Sequence, residues 1–250
     1  MIQAIIGALL IGLVLSMLGS GGSILTVPVL LYLIGMQPEL AIASSLCIVG
    51  AISVVSSIGF IKQKKVSWPH VFLFGLPGMA GTYIGAWAST FFNSDIQLTV
   101  FVVLMLVGAV MMWRNQSGRC KAGTKLNIVK ILTQGLAVGV VTGFVGVGGG
   151  FLIVPALVLL GGIEMWLAIG TSLLIISMNS LIGFVKYYSL LSDKGLQFDW
   201  SVIGIMIAGG LVGSMAGQWV SQYVPKAILQ KVFAVFLVLM AIFIFIKSVI

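Results

Sequence analysis

Charged side chains are spaced so unevenly along this chain that they leave apolar runs near 2–34, 39–60, 69–91, 96–113, 131–162, 166–185, 200–222 and 227–246. A bilayer span needs about 20 mostly apolar residues. Backbone N–H and C=O groups in hydrocarbon have no water to bond, so each run must satisfy its own backbone, and a helix does so. With 60% hydrophobic and 7% charged residues, the chain lies outside the range of soluble domains. The expected fold is an all-α integral membrane protein with about eight transmembrane segments. Two of the runs, 2–34 and 131–162, are too long for one straight helix at about 1.5 Å rise per residue.

Both long runs carry an interruption. The first reads Gly19-Ser-Gly-Gly-Ser-Ile-Leu-Thr-Val-Pro28 and the second Gly146-Val-Gly-Gly-Gly-Phe-Leu-Ile-Val-Pro155. Glycine costs entropy in a helix, and proline lacks an N–H and clashes with the preceding turn. Each stretch should therefore break its helix, and broken backbone inside a bilayer survives only where protein buries it or a cavity receives it.

The two interruptions belong to a duplication. Shifted by the distance from Pro28 to Pro155, the chain matches itself without a gap from Gly19–Ser53 to Gly146–Ser180, pairing Gly35 with Gly162, Ser45 with Ser172 and Leu40-Ala-Ile42 with Leu167-Ala-Ile169. After five extra residues the match resumes, pairing Trp68, Gly78, Gly81, Gly85 and Trp87 with Trp200, Gly210, Gly213, Gly217 and Trp219. This predicts two fourfold repeats, 1–113 and 131–250, joined by a basic linker at 114–130. The first segment of each repeat is the broken one.

The balance of 13 Lys and Arg against 5 Asp and Glu would suggest nucleic acid in a soluble protein. Here the cations cluster between apolar runs and read as topology signals, with the linker and Lys62, Lys64 and Lys65 on the cytoplasmic side. No nucleic-acid partner is expected. If each broken segment crosses once, the repeats are parallel, which is the favoured arrangement. If each turns back, they are inverted, and the charge distribution differs little between the two. The N-terminus lacks the basic region of a cleaved signal peptide, so the first segment is expected to persist. Cys47 and Cys120 form neither a disulfide framework nor a metal-ligand spacing.

A helix starting at a break presents free N–H groups and the positive end of its dipole, which attracts anions. No basic residue occupies the middle of any predicted span, so Gly21, Gly22 and Ser23 at one break and Gly148, Gly149 and Gly150 at the other are the candidate anion ligands. The following helices add Ser44 and Ser45, and Thr171, Ser172 and Asn179, whose hydroxyls and amide can donate to an anion's oxygens. The competing readings are close helix packing for the glycines and back-bonding to the helix's own carbonyls for the hydroxyls. Asn179 needs partners at mid-span and could equally join two helices. The copies differ at Ser23 and Gly150, Ser20 and Val147, and Ile52 and Asn179, which favours a single asymmetric site.

Other features point away from chemistry. Gly78, Gly81 and Gly85, like Gly210, Gly213 and Gly217, make small faces suited to close packing, and Trp68, Trp87, Trp200 and Trp219 suit interfacial anchoring. His70 reads as a solvated or interfacial histidine. Glu39 and Glu164 lie at matching turns near the surface, and no carboxylate falls at mid-span. Gly146-Val-Gly-Gly-Gly lacks the strand–helix context of a dinucleotide loop. No nucleophile with a paired base and no His/Cys cluster is present, so neither an enzyme nor a cofactor or metal is expected.

The twin G-x-G-G-[GS]-x-[LI]-x-V-P stretches and the A-[IL]-[AG]-[ST]-S-L steps at 41–46 and 168–173 resemble the sulfite exporter TauE/SafE family. The resemblance runs over nearly the whole chain. It implies a multi-pass transporter of the cell inner (plasma) membrane that moves sulfite, sulfoacetate or related organosulfonates, often outward. The expected partners are a small anionic substrate and the lipid bilayer, with a coupling proton or sodium ion as a candidate; oligomeric state is not legible in the sequence. The alternatives are a passive anion channel using the same helix ends, and a non-transporting membrane accessory subunit in which the breaks only pack.

Overall fold

The computed structural model describes residues 2–19, 21–114, 128–145, 150–193, 197–221 and 223–249, and among them helices are joined by short turns with no strand. The long run 2–34 becomes α1 (Ile2–Leu18) and α2 (Gly21–Pro28), and the run 131–162 becomes α6 (Ile128–Val145) and α7 (Gly150–Pro155). The others give α3 (Pro38–Lys62), α4 (Trp68–Ala88), α5 (Ser94–Arg114), α8 (Met165–Asp193), α9 (Trp200–Ser221) and α10 (Lys226–Val249). Helical stretches at Pro38–Lys62, Trp68–Phe91, Ile128–Val145, Met165–Leu191 and Trp200–Ser221 are long and apolar enough to cross a membrane, and α5 and α10 carry shorter apolar stretches. The protein is an all-α, multi-pass membrane protein.

Proline shapes the two short helices alike. Pro28 has no N–H for the Ile24 carbonyl, and the helix widens into a π turn over Val29–Leu33; Pro155 is followed by the same turn over Ala156–Leu160. Each ends at a left-handed glycine, Gly35 (φ 77°) and Gly162 (φ 68°). The bonds closing these ends correspond: Ile34 N–H to Val29 O (3.1 Å) and Met36 N–H to Leu30 O (3.0 Å), Gly161 N–H to Ala156 O (2.9 Å) and Ile163 N–H to Leu157 O (3.3 Å). A side chain is strained in that conformation, which accounts for glycine at both positions.

The first broken segment doubles back. Gly22 lies on Leu15, whose Cα would be 2.9 Å from a glycine Cβ, and Gly7 lies under Val29, whose Cγ1 would be 2.8 Å away. As the number rises from 22 to 29, its partner falls from 15 to 7, so α2 and its π turn run antiparallel along α1. Gly19 makes the reversal with φ +73°. The second segment behaves likewise. Gly135, Gly139 and Gly143 lie beside Phe74, Gly78 and Thr82, so α6 runs parallel to α4, and Gly161 then returns to His70 at the start of α4. The single crossing favoured from sequence is replaced by a hairpin, whose arms in the first segment close on each other at Gly22 and Gly7.

Each half supplies the partner of the other's hairpin. Helix α1 packs on α9 and α6 on α4, while α3 packs on α8, α5 on α10 and α2 on α7. Methyl groups on Gly81 and Gly85 would meet the Leu136 and Val140 carbonyls; on Gly213 and Gly217 they would meet those of Leu9 and Leu13. These contacts are the same under the sequence offsets. Close backbone approach is what the glycine faces provide. The tryptophans Trp68, Trp87, Trp200 and Trp219 are exposed at the helix ends.

Candidate anion site at the helix breaks

The reversal at Gly19 is tied to α8. Ser172 Oγ lies 3.0 Å from Gly19 O and 2.8 Å from Ile169 O, so its one proton serves two carbonyls. Beside it, Thr171 Oγ1 accepts the Ser67 N–H at 2.9 Å. That N–H stands at the start of α4, where no earlier turn of the helix can accept it. Ser67 Oγ in turn lies 2.8 Å from His70 Nδ1. A chain of polar contacts thus runs from the first break to the N-terminal end of α4.

The predicted ligands divide by role. Ser172 and Thr171 are fully buried and hold backbone in place. Ser23 is buried at the start of α2, and Thr26 Oγ1 bonds Gly22 O at 2.8 Å, securing the first turn. Ser45 Oγ donates to Ile42 O at 2.7 Å. Ser44 Oγ and both amide atoms of Asn179 are buried without a hydrogen-bond partner among the described residues. Gly21 opens α2 and Gly150 opens α7; Gly148 and Gly149 lie outside the described residues.

Helices α2 and α7 pack against each other at the centre, but their breaks lie at different depths. The first is level with the start of α4. The second follows α6, whose Gly143 meets Thr82 and whose Phe144 ring lies 5.3 Å from that of Phe92, near the other end of α4. The two helix starts therefore do not face one another across a single point.

Each end of the molecule has a cavity. One of about 550 Å³ is lined by Glu39, Ile42, Ser89, Gln97 and Tyr187. There Tyr187 and Ser89 share a 2.9 Å hydrogen bond, and Gln97 Nε2 donates to Ser89 O at 3.1 Å. The other, of about 570 Å³, is lined by Lys65, Glu164, Trp166, Tyr223 and Pro225, with Lys65 Nζ 5.1 Å from the Trp166 ring centre. Glu39 and Trp166 are equivalent under the duplication, so the cavities occupy matching places.

Several positions escaped the sequence reading. His70 is 5% exposed, not solvated, because the turn ending the α7 segment covers it. Tyr187 gave no local signal, its partners being Ser89, just past the end of α4, and Gly143 of α6. Ser53 and Ser180 did give one, since they are equivalent and both serine, yet no role followed from that. Thr171→Val is expected to lower stability by about 1 kcal/mol, the cost of leaving a buried N–H without its acceptor. Thermal unfolding in detergent checks it.

The sulfite exporter TauE/SafE family model matches residues 4–244. A Xylella fastidiosa protein named probable membrane transporter protein is 31% identical, with 96% of this chain and 92% of that protein covered. Bacillus subtilis YunE, likewise named a probable membrane transporter protein, is 25% identical over 92% of each chain, and a Methanocaldococcus jannaschii protein so named is 23% identical over 82% of this chain and 78% of its own. No solved structure matches the chain. A family match of this extent, on a multi-pass helical membrane protein, identifies the chain as a membrane transporter of the inner (plasma) membrane belonging to the sulfite exporter TauE/SafE family.

Proposed function

We propose that this protein is a secondary transporter of small sulfur-containing anions, namely sulfite, sulfoacetate or related organosulfonates, working in export. The observation that carries the reading is the pair of broken helices, α2 and α7, packed against each other. Their starts offer backbone N–H groups and dipole ends, and Gly21, Gly22 and Ser23 at one break and Gly148–Gly150 at the other are the residues that would hold the anion in turn. Ser44, Ser45, Thr171, Ser172 and Asn179 support it, with Thr171 and Ser172 acting on backbone geometry. Transport, not catalysis, is the activity, and a proton or sodium gradient is the candidate driving force.

The doubling back of each first segment leaves an odd number of crossings in each half, so the halves 1–113 and 131–250 are inverted repeats on either side of the 114–130 linker. The end bearing Lys62, Lys64, Lys65 and Lys130 is then cytoplasmic. Between the cavities the centre is closed, Asn179 being 1% exposed and Ser180 fully buried, which supports alternating access over an open channel. Rocking of one half against the other would expose each break in turn.

Uptake of radiolabelled sulfite and sulfoacetate into proteoliposomes tests the reading, with Gly149→Leu and Ser172→Ala as variants. Both are expected to transport at least tenfold more slowly per folded molecule. Unchanged rates in both variants would remove the breaks from the binding site, and absence of uptake by the unsubstituted protein would remove the substrate class.

A further inference from the structure

Four buried polar residues are spread over about two turns of the seams that α8 makes with α3 and α4. A methyl group on Gly78 of α4 would lie 3.2 Å from both Nδ2 and Oδ1 of Asn179. One turn along the same two helices, Thr82 Cγ2 lies 3.4 Å from where a Cβ on Gly183 would be. Ser180 Cβ would be 3.2 Å from a methyl group on Gly50 of α3, and Ser53 follows Gly50 by one turn on the same helix. Each of the four is at most 2% exposed. Neither atom of the Asn179 amide and none of the three hydroxyls has a hydrogen-bond partner among the described residues.

Back-bonding satisfies several serines of these helices but not these hydroxyls, nor those of Ser44 and Ser56 on α3. Ser45, Ser57, Ser177 and Ser214 each donate to a carbonyl three residues earlier at 2.6–2.8 Å. Ser53, Thr82 and Ser180 make no such bond. Leaving a buried donor unmade costs more than an ordinary hydrogen bond returns, and five such atoms along two turns of these seams are not explained by packing. Pro77 of α4 has no N–H for the Leu73 carbonyl, about one turn from Gly78, so α4 also brings a backbone acceptor to this level. The Asn179 amide offers two N–H and one oxygen and each hydroxyl can donate or accept, so the group can turn N–H and O–H donors toward an anion, and the choice of an anion rests on the transport reading above.

We propose that these seams are the passage, with transient binding sites, for the transported oxyanion between the two breaks, with Thr82, Asn179, Ser180 and Ser53 donating to its oxygens in succession as the seams open. The proposal rests on the anion-transport reading above and adds Thr82, Ser180 and Ser53 to the substrate path. Its depth fits: the Ser172–Gly19 tie lies toward one end of α8, and the Thr82–Gly143 contact marks the level of the second break. In the closed arrangement the seams have no room for an ion. Ligation therefore requires α8 to part from both α3 and α4.

The test uses the full-length protein in proteoliposomes with Cys47→Ala and Cys120→Ser, carrying Ser180→Cys, Ser53→Cys or, between α5 and α10, Met105→Cys. Methanethiosulfonate ethylsulfonate, a membrane-impermeant sulfonate, is the probe. Cysteines at 180 and 53 are expected to label at least tenfold faster than the equally buried 105, and saturating sulfoacetate to slow them at least threefold. Labelling no faster than at 105, or slowed by sodium and not by sulfoacetate, would overturn the proposal. Thr82→Val preserves shape and is expected to cut sulfoacetate transport at least tenfold at an unchanged melting temperature; full transport by that variant would also overturn it. A protein that moves neither sulfite nor sulfoacetate yet labels fast at both positions supports the passage and overturns the substrate class.

Discussion

Gly85→Leu in α4 and Gly217→Leu in α9 are each expected to abolish recovery of folded, monodisperse protein. A Cβ on Gly85 already collides with the Val140 carbonyl and lies 2.7 Å from Phe144 N; on Gly217 it collides with the Leu13 carbonyl and lies 3.0 Å from Leu13 Cα. The obstacle is backbone on both sides, so no side-chain rotation relieves it and the helix pair must separate. Overpacking costs about 1–3 kcal/mol even in yielding cores, and separation forfeits the whole α4–α6 or α1–α9 contact. Gly204→Ala is the control. Nothing lies within 4 Å of its added methyl group, and replacing a helical glycine by alanine stabilises by about 0.5–1 kcal/mol. Size-exclusion profiles and melting temperatures in detergent decide the matter; equal recovery of the leucine variants and the control would show that the close approach is not needed.

Gly22→Leu should abolish transport while sparing more of the fold. Its side chain would enter the space of Leu15 and the Ile11 carbonyl, prising the second arm of the hairpin from α1. The start of α2 would then leave the place where Ser172 holds Gly19. Because α3, α4, α8 and α9 pack without using Gly22, the protein is expected to remain recoverable. Uptake per folded molecule is expected to fall by more than tenfold. Uptake within twofold of the unsubstituted protein would mean that the hairpin's register does not matter to the anion.

How much of this was legible in the sequence depends on the range of the contact. Pro28 and Pro155, with Gly35 and Gly162, announced where the short helices would deform and stop, because those constraints act within a turn. The glycine faces of α4 and α9 announced close packing but not the partner, since a small residue fits any near backbone. Whether a broken run crosses or turns back was hidden, for both give the same apolar length, and the hairpin shows only in the contact of Gly22 with α1. The role of Thr171 was hidden too. Its oxygen accepts the N–H of Ser67, more than a hundred residues earlier, so the hydroxyl also finishes a helix end. Burial of His70 likewise depends on a turn from the other half of the chain.

The pairing of α1 with α9 and of α6 with α4 sets an order of assembly during synthesis. The glycine seam of α9 is translated long after α1 has entered the membrane, so the first hairpin waits, its Leu9 and Leu13 carbonyls uncovered, until nearly the whole chain is made. The second hairpin meets its partner at once, because α4 is already in place. Two polypeptides divided within the 114–130 linker would each lack half of a seam, and should accumulate only when made together in the same membrane.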